Sequence, residues 1–306
     1  MQKIFTAVFL TNLLFVTSVV NSQEISFNSD SLQANKKNIY EAIGYTAAFS
    51  AGSLFLLSRT WYKDKEVVPF HFYNDSRGFL QVDKFGHSFG AYVYSYIGFN
   101  YLLNSGYTRS EALYLGATLG IILQTPIEIM DGIHEGYGFS WSDIAANTIG
   151  SALVFGQEVL FNEQIVKYKF SYSESVYSKK ANSYLGKSAL DRLVKDYNGH
   201  TYWLSMPVNK FVGNKILPSW LNIAAGYGAN GMYGEFENIK NYNGVDIPET
   251  KRYRQYFLSL DIDWTKIKTD SKFLQFILHA LTFIKLPFPA VEFNSMSELR
   301  WHWLYY

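Results

Sequence analysis

From residue 39 to 162 apolar side chains recur at helical spacing in four segments, and after residue 165 the period shortens to two. The helical segments run from about Tyr40 to Leu57, Lys84 to Leu103, Ser110 to Met130 and Ser142 to Phe161, each bounded by charges or turn formers. Thr108 stands three residues before Glu111 and Ser140 three before Asp143, the spacing of capping boxes at the heads of the third and fourth helices. Short connections between the last three helices predict antiparallel packing as a bundle. Phe85 to Thr108 carries no formal charge and is long enough to cross a bilayer, with Gly86, Gly90 and Ala91 permitting close helix contact. Gln124, Pro126, Glu128 and Asp131 interrupt the next segment, so a bundle in lipid and one in water both remain open.

Beyond residue 165 the alternation predicts strands. Leu221, Ile223, Ala225 and Tyr227 oppose Asn222, Ala224, Gly226 and Gly228; Tyr256, Leu258, Leu260, Ile262 and Trp264 oppose Gln255, Ser259, Asp261 and Asp263. Leu299, Trp301, Trp303 and Tyr305 oppose Glu298, Arg300 and His302, with weaker strands over 166–172, 201–208 and 290–294. Phe273 to Phe283 reads as an apolar helix or a long buried strand. Aromatics on one face and small polar residues on the other suit an outer-membrane barrel wall. Six or seven strands are too few for a small barrel, and Tyr306 breaks the final parity. An antiparallel sheet whose aromatic face packs on the helices is therefore favoured. The fold class is α+β: an N-terminal four-helix bundle-like domain (39–164) followed by an antiparallel β-rich domain with one apolar helix (165–306).

Residues 1–22 change the location. Lys3 precedes an almost continuously apolar run from Ile4 to Val20, and Val20-Asn21-Ser22 suits signal cleavage before Gln23; residues 23–38 form a polar, flexible lead-in. An uncleaved anchor helix is the alternative, and both carry the chain out of the cytoplasm. The 27 basic and 26 acidic residues leave no excess to neutralise phosphates, which excludes nucleic acid as a partner. With no cysteine there is no disulfide, thiolate metal site, thiol nucleophile or lipid-bearing cysteine.

The chemistry-bearing residues gather at helix ends. Asp83, Lys84 and His87 head the second helix, Glu128, Asp131 and His134 end the third, and Asp143 and Asn147 head the fourth. Asp83/His87 and Asp143/Asn147 are four apart and Glu128/Asp131 three apart, so each pair shares a helix face, and antiparallel packing brings them to one end of the bundle. Three uses fit: a mutually satisfying structural network; a divalent metal held by His87, Glu128, Asp131 and Asp143; and acid–base hydrolysis of a phosphate or glycan bond with Lys84 stabilising an anion. No cofactor is otherwise called for. Gly226, Gly228, Gly231 and Gly234 fit no phosphate-loop spacing, and the serines form no nucleophile elbow.

Asp83-Lys84-x-x-His87, Glu128-x-x-Asp131 and Gly138-Phe139-Ser140-Trp141-Ser142-Asp143-x-x-x-Asn147-x-x-Gly150 resemble the YfiM-like family of uncharacterised periplasmic lipoproteins. They are more distantly similar to VanZ-like membrane proteins. The resemblance covers roughly residues 40–160 and implies a bacterial envelope protein with a helical domain, supplying no reaction. The chain departs from it by lacking the lipidated cysteine and by adding the β-rich half. The expectation is a structural or interaction-type envelope protein, periplasmic or outer-membrane associated, meeting membrane lipids or envelope proteins. The alternative is an envelope hydrolase or metal-dependent enzyme acting on a lipid or glycan phosphate.

Overall fold

A computed structural model describes residues 65–212 and 217–306, together with Gly52, Phe55 and Tyr62. The signal segment, the lead-in and most of the first helix lie outside the described residues; of that helix only Gly52 and Phe55, both helical, are described. The chain is α+β, with helices and a mostly antiparallel sheet. It separates into two compact units: residues 90–162 with the segment up to Asp75, and residues 76–89 with 163–306.

The helical unit holds the body of α1 (Val82–Asn104), α2 (Arg109–Gly132) and α3 (Trp141–Phe161). The Thr108 hydroxyl accepts the Glu111 N–H while the Glu111 carboxylate accepts the Thr108 N–H at 3.0 Å, the reciprocal box the spacing predicts. The Ser140 hydroxyl accepts the Asp143 N–H at 3.1 Å, and α3 closes on Asn162 in a left-handed conformation. A π turn over Ala112–Gly116 precedes the regular part of α2. α1 and α2 touch through their backbones: a Cβ on Gly120 would lie 2.1 Å from the Ala91 carbonyl oxygen. The Gly120 N–H donates to the Ser95 hydroxyl at 3.0 Å, which itself donates to Ser151 of α3 at 2.9 Å, so small residues draw three helices together.

α2 and α3 are each long and apolar enough to cross a membrane. The stretch 85–108, which the sequence offered for that role, is not among such helices; Ser88, Ser95, Asn100 and five tyrosines dilute it. Both qualifying helices keep large apolar side chains exposed, among them Tyr114, Ile122, Ile149 and Leu160.

The second unit is an antiparallel meander. Strands β1 (Lys167–Tyr172), β2 (His200–Pro207), β3 (Leu221–Asn230), β6 (Tyr253–Ile262), β7 (Phe288–Asn294) and β8 (Leu299–Tyr305) pair in that order. A hairpin of β4 (Asn241–Tyr242) and β5 (Val245–Asp246) interrupts it between β3 and β6. Helices α4 (Ala189–Lys195), α5 (Val208–Val212) and α6 (Lys272–Ala280) lie in the connections, so Phe273 to Phe283 is a helix extended by a 3-10 turn.

Register puts Tyr168, Tyr202, Tyr227 and Tyr256 on one face and Lys169, Trp203, Gly226 and Phe257 on the other. Only part of the aromatic face packs on helix. Phe85 stacks on Tyr227 at 4.4 Å and Phe89 meets Tyr168 and Phe170, covering the β1–β3 end. On β6 to β8 the same face stays exposed, contrary to the packed-sheet expectation. The other face is buried and polar: Lys169 pairs with Asp261 at 2.6 Å, Ser205 donates to Asp261 at 2.6 Å, and Gln255 donates to Glu292 at 2.9 Å. One parity also differs from the sequence pattern. A register shift between the partners of Phe288 and Ala290 turns Tyr305 inward onto Phe257, away from exposed Trp301 and Trp303.

Gly120→Ala forces a methyl into the Ala91 backbone and is expected to destabilise the helical unit by about 1–3 kcal/mol. Gly156→Ala, where a Cβ meets nothing within 4 Å, is expected to stabilise α3 by about 0.5–1 kcal/mol. Thermal unfolding followed by circular dichroism checks the opposite signs.

Candidate functional site

The sequence-predicted residues divide between the units. Asp83, Lys84 and His87 belong with the sheet; Glu128, Asp131, Asp143 and Asn147 belong with the helices. In the sheet unit, Asp83 occupies the first turn of α1, where helix N–H groups favour a carboxylate. Its Oδ1 accepts the Tyr197 hydroxyl at 2.8 Å and its Oδ2 accepts Lys84 Nζ at 2.9 Å. His87, one turn on, places Nε2 4.0 Å from Oδ1. Burial works against charge on Asp83, yet His87 and Lys84, with hydrogen bonds from Lys84 and Tyr197, hold its carboxyl below the usual range.

The approach to this turn is strained. Phe79, Leu80 and Gln81 all have positive φ, at 46°, 51° and 69°, a region that costs non-glycine residues about 1–3 kcal/mol each. Tertiary contacts enforce it. The Phe79 N–H donates to Glu235 O at 2.8 Å, Arg254 donates to Gln81 Oε1 at 2.8 Å, the Tyr227 hydroxyl donates to Leu80 O, and the Phe79 ring lies 4.4 Å from Tyr197. The sheet thus dictates where Asp83 and His87 begin their helix.

His200, a scattered histidine in the sequence, is buried beside them. Burial pushes its imidazole down to about 4, against the Leu193 carbonyl and the Asp83 charge, which both favour protonation. A neutral ring then donates Nε2–H to Leu193 O at 2.8 Å and accepts the Tyr202 hydroxyl at Nδ1 over 3.4 Å. Tyr197 and His200 carried no signal in the sequence. They reach Asp83 from more than a hundred residues away, and no local period encodes that.

In the helical unit, Asn147 and Gln124 are both buried and joined, the Gln124 amide donating to Asn147 Oδ1 at 2.7 Å to tie α2 to α3. Glu128 is fully buried in α2, and Asp131 near its end accepts the Tyr62 hydroxyl. Tyr62 also stacks on His134 at 4.2 Å, while the His134 Nδ1 lies 2.6 Å from Met130 O. Asp143 is buried in the first turn of α3. Ser140 and Ser142 donate to Asp75 Oδ1 at 2.6 and 2.7 Å, an anchor the sequence reading missed although Asn74-Asp75-Ser76 is a turn-forming run.

Chemically, Asp83 and His87 offer two donors that one divalent cation can bridge, since ligand bonds of about 2.0–2.2 Å span a 4.0 Å gap.

Residues 71–159 match a family model described as Predicted periplasmic lipoprotein (DUF2279). The matched stretch carries Asp83, Lys84, His87, Glu128, Asp131, Asp143 and Asn147, and none of the β-strands of the sheet. The family has no known function, and its description agrees with an envelope protein that is periplasmic or outer-membrane associated. No curated protein and no solved structure matches the chain.

The pH dependence follows from His200. An unfolded imidazole titrates near 6.5 and the folded one near 4, so its stabilising contribution is complete above pH 6.5 and is lost as pH falls toward 4, roughly 3 kcal/mol in all. Asp83, held below its unfolded value, adds a further loss as pH falls through the carboxylate range. Denaturant unfolding at a series of pH values is expected to show the first slope in wild type and to lose it in His200→Gln.

Proposed function

We propose that the chain is a membrane-associated envelope protein of the structural or interaction type, in which the polar helix residues hold the fold and apolar surfaces make the functional contacts. One observation carries this reading: Asp83, Asp131 and Asn147 are each joined by hydrogen bonds to side chains of their own unit, whereas large apolar side chains on both units stand exposed. Each such side chain is worth about 1.5–3 kcal/mol when removed from water, so leaving many outside is costly unless something other than water meets them. Membrane lipids and envelope proteins are the partners this suits. The narrower likeness to YfiM-like and VanZ-like proteins belongs to this reading, as does the helical bundle at the outer membrane.

A second reading is favoured by the strained turn at 79–81, because such strain gathers at functional sites. In it Asp83 and His87 bind a divalent cation, which would supply Lewis acidity for hydrolysis of a lipid or glycan phosphate.

Flotation of the full chain with vesicles of phosphatidylethanolamine and phosphatidylglycerol tests the first; recovery wholly in the unbound fraction would sink it. Thermal shift with Mn²⁺ or Zn²⁺ tests the second. A rise in Tm on adding metal to wild type that disappears in both Asp83→Asn and His87→Ala is its expected outcome, and no rise in wild type rejects it.

A further inference from the structure

We propose that the outward face of β6, β7 and β8 is a lipid-contact surface that seats the sheet unit on the surface of an envelope membrane. This rests on the membrane-associated reading and names its partner. The face consists of Tyr256, Leu258 and Leu260 of β6, Phe293 of β7, and Trp301 and Trp303 of β8; register sets Tyr256 opposite Phe293 and carries Leu258 through Val291 to Trp301, whose ring meets that of Trp303 at 5.6 Å. Leu258 is 52% and Trp303 78% exposed, while Asp261 and Glu292 on the opposite side are each 1% exposed.

That distribution is the reverse of a sheet built for water, which buries its apolar face and wets its polar one. It is the distribution of a wall whose outer medium is hydrocarbon. The polarity is fixed by bonding. Gln255 donates to Glu292, His302 lies 2.8 Å from Glu292, Asn230 donates to Gln255 at 2.6 Å, and Lys169 pairs with Asp261. Turning the strands over to hide Leu258 and Trp303 would break all of these and strand buried charges.

The chemistry of the face favours lipid over a protein partner. Protein interfaces carry about one hydrogen bond per 100–200 Å², yet the six side chains offer only the Tyr256 hydroxyl and two indole N–H groups. Tyrosine and tryptophan with an aliphatic centre suit the boundary between acyl chains and headgroups. Arg254, at the Tyr256 end of the strand, and Trp220, whose carbonyl accepts the Asp263 N–H beyond Ile262, mark the two limits of the β6 track. Because β8 is an edge strand among the described residues, its unpaired backbone groups must stay where water or headgroups reach them. The face therefore lies on the membrane rather than passing through it. The family matched by residues 71–159 is described as lipoprotein, and this sequence has no cysteine to carry a lipid; an apolar sheet face provides attachment by another route.

The absence of cysteine also makes the test clean. Single-cysteine variants of the full chain, Leu258→Cys and Trp303→Cys on the face and Lys240→Cys on the exposed turn before β4, are labelled with an environment-sensitive fluorophore. They are then mixed with phosphatidylethanolamine–phosphatidylglycerol vesicles with and without brominated acyl chains. The expected result is a blue shift and bromine quenching at positions 258 and 303 and neither at 240. Quenching of the native tryptophans of wild type by the same vesicles repeats the measurement on an unaltered chain. If the protein floats with vesicles while the labels at 258 and 303 do not respond, attachment lies elsewhere and the inference fails, the membrane reading surviving. If the labels respond to protein concentration without vesicles, a second copy covers the face and the inference is likewise overturned. Failure to float at all removes both.

Discussion

The ion pair between Lys169 and Asp261 decides which way the six-stranded sheet faces. Both side chains are buried, and their neighbours complete the bonding: Lys169 Nζ donates to Ile262 O at 2.7 Å, Ser205 donates to Asp261, and Asn222 donates to Ser205 at 2.9 Å. A buried charge deprived of its partner costs about 3–5 kcal/mol, so a one-residue slip of β1 or β6, which would exchange the two faces, is forbidden by this pair alone. With that parity set, Tyr168 and Phe170 must turn toward Phe89, Gly226 must leave room for the Trp203 ring, and Leu258 and Leu260 must turn out. Lys285, pushed down to about 8 by burial, lies over Trp203 and, with Lys167, adds further buried cations beside Lys169.

What the sequence made legible was whatever repeats over a few residues. The Thr108–Glu111 box and the Ser140 cap are contacts across three positions, and both are present. The period-two stripes located β3, β6 and β8, and even the weak stretches at 166–172, 201–208 and 290–294 contain strands. The extra residue opposite Phe288 and Ala290 was not legible, because a bulge leaves the alternation of the partner strand untouched; it moved Tyr305 to the face with His302. Nor could alternation say which face is wet. The aromatic side packs on helix only where Phe85 and Phe89 cover the sheet.

The candidate residues divided along the same line. Spacing paired Asp83 with His87 on one helix face, and the two are indeed within 4.0 Å. It gave no hint of Tyr197, His200 or the left-handed run at 79–81, all of which depend on strands and loops far along the chain. Sequence polarity alone also could not distinguish a group that serves the fold from one that serves a ligand. Gln124 and Asn147, for example, bond to each other between two helices, a contact that sequence polarity does not reveal.

The order of strands in the sheet has a consequence for how it is assembled. Each of β2, β3, β6, β7 and β8 lies beside the strand that precedes it in the sheet, and β4 and β5 pair only with each other. Within the sheet each ladder partner comes from the next strand in order, but the connections at 173–199, 231–252 and 263–287 are long and Phe170 of β1 is bridged by Ile284, so much of the closure is non-local, the kind that slows folding. Trp301 and Trp303 sit on the last strand to join. As the chain emerges, its most water-averse surface is completed only after the polar interior that orients it has formed.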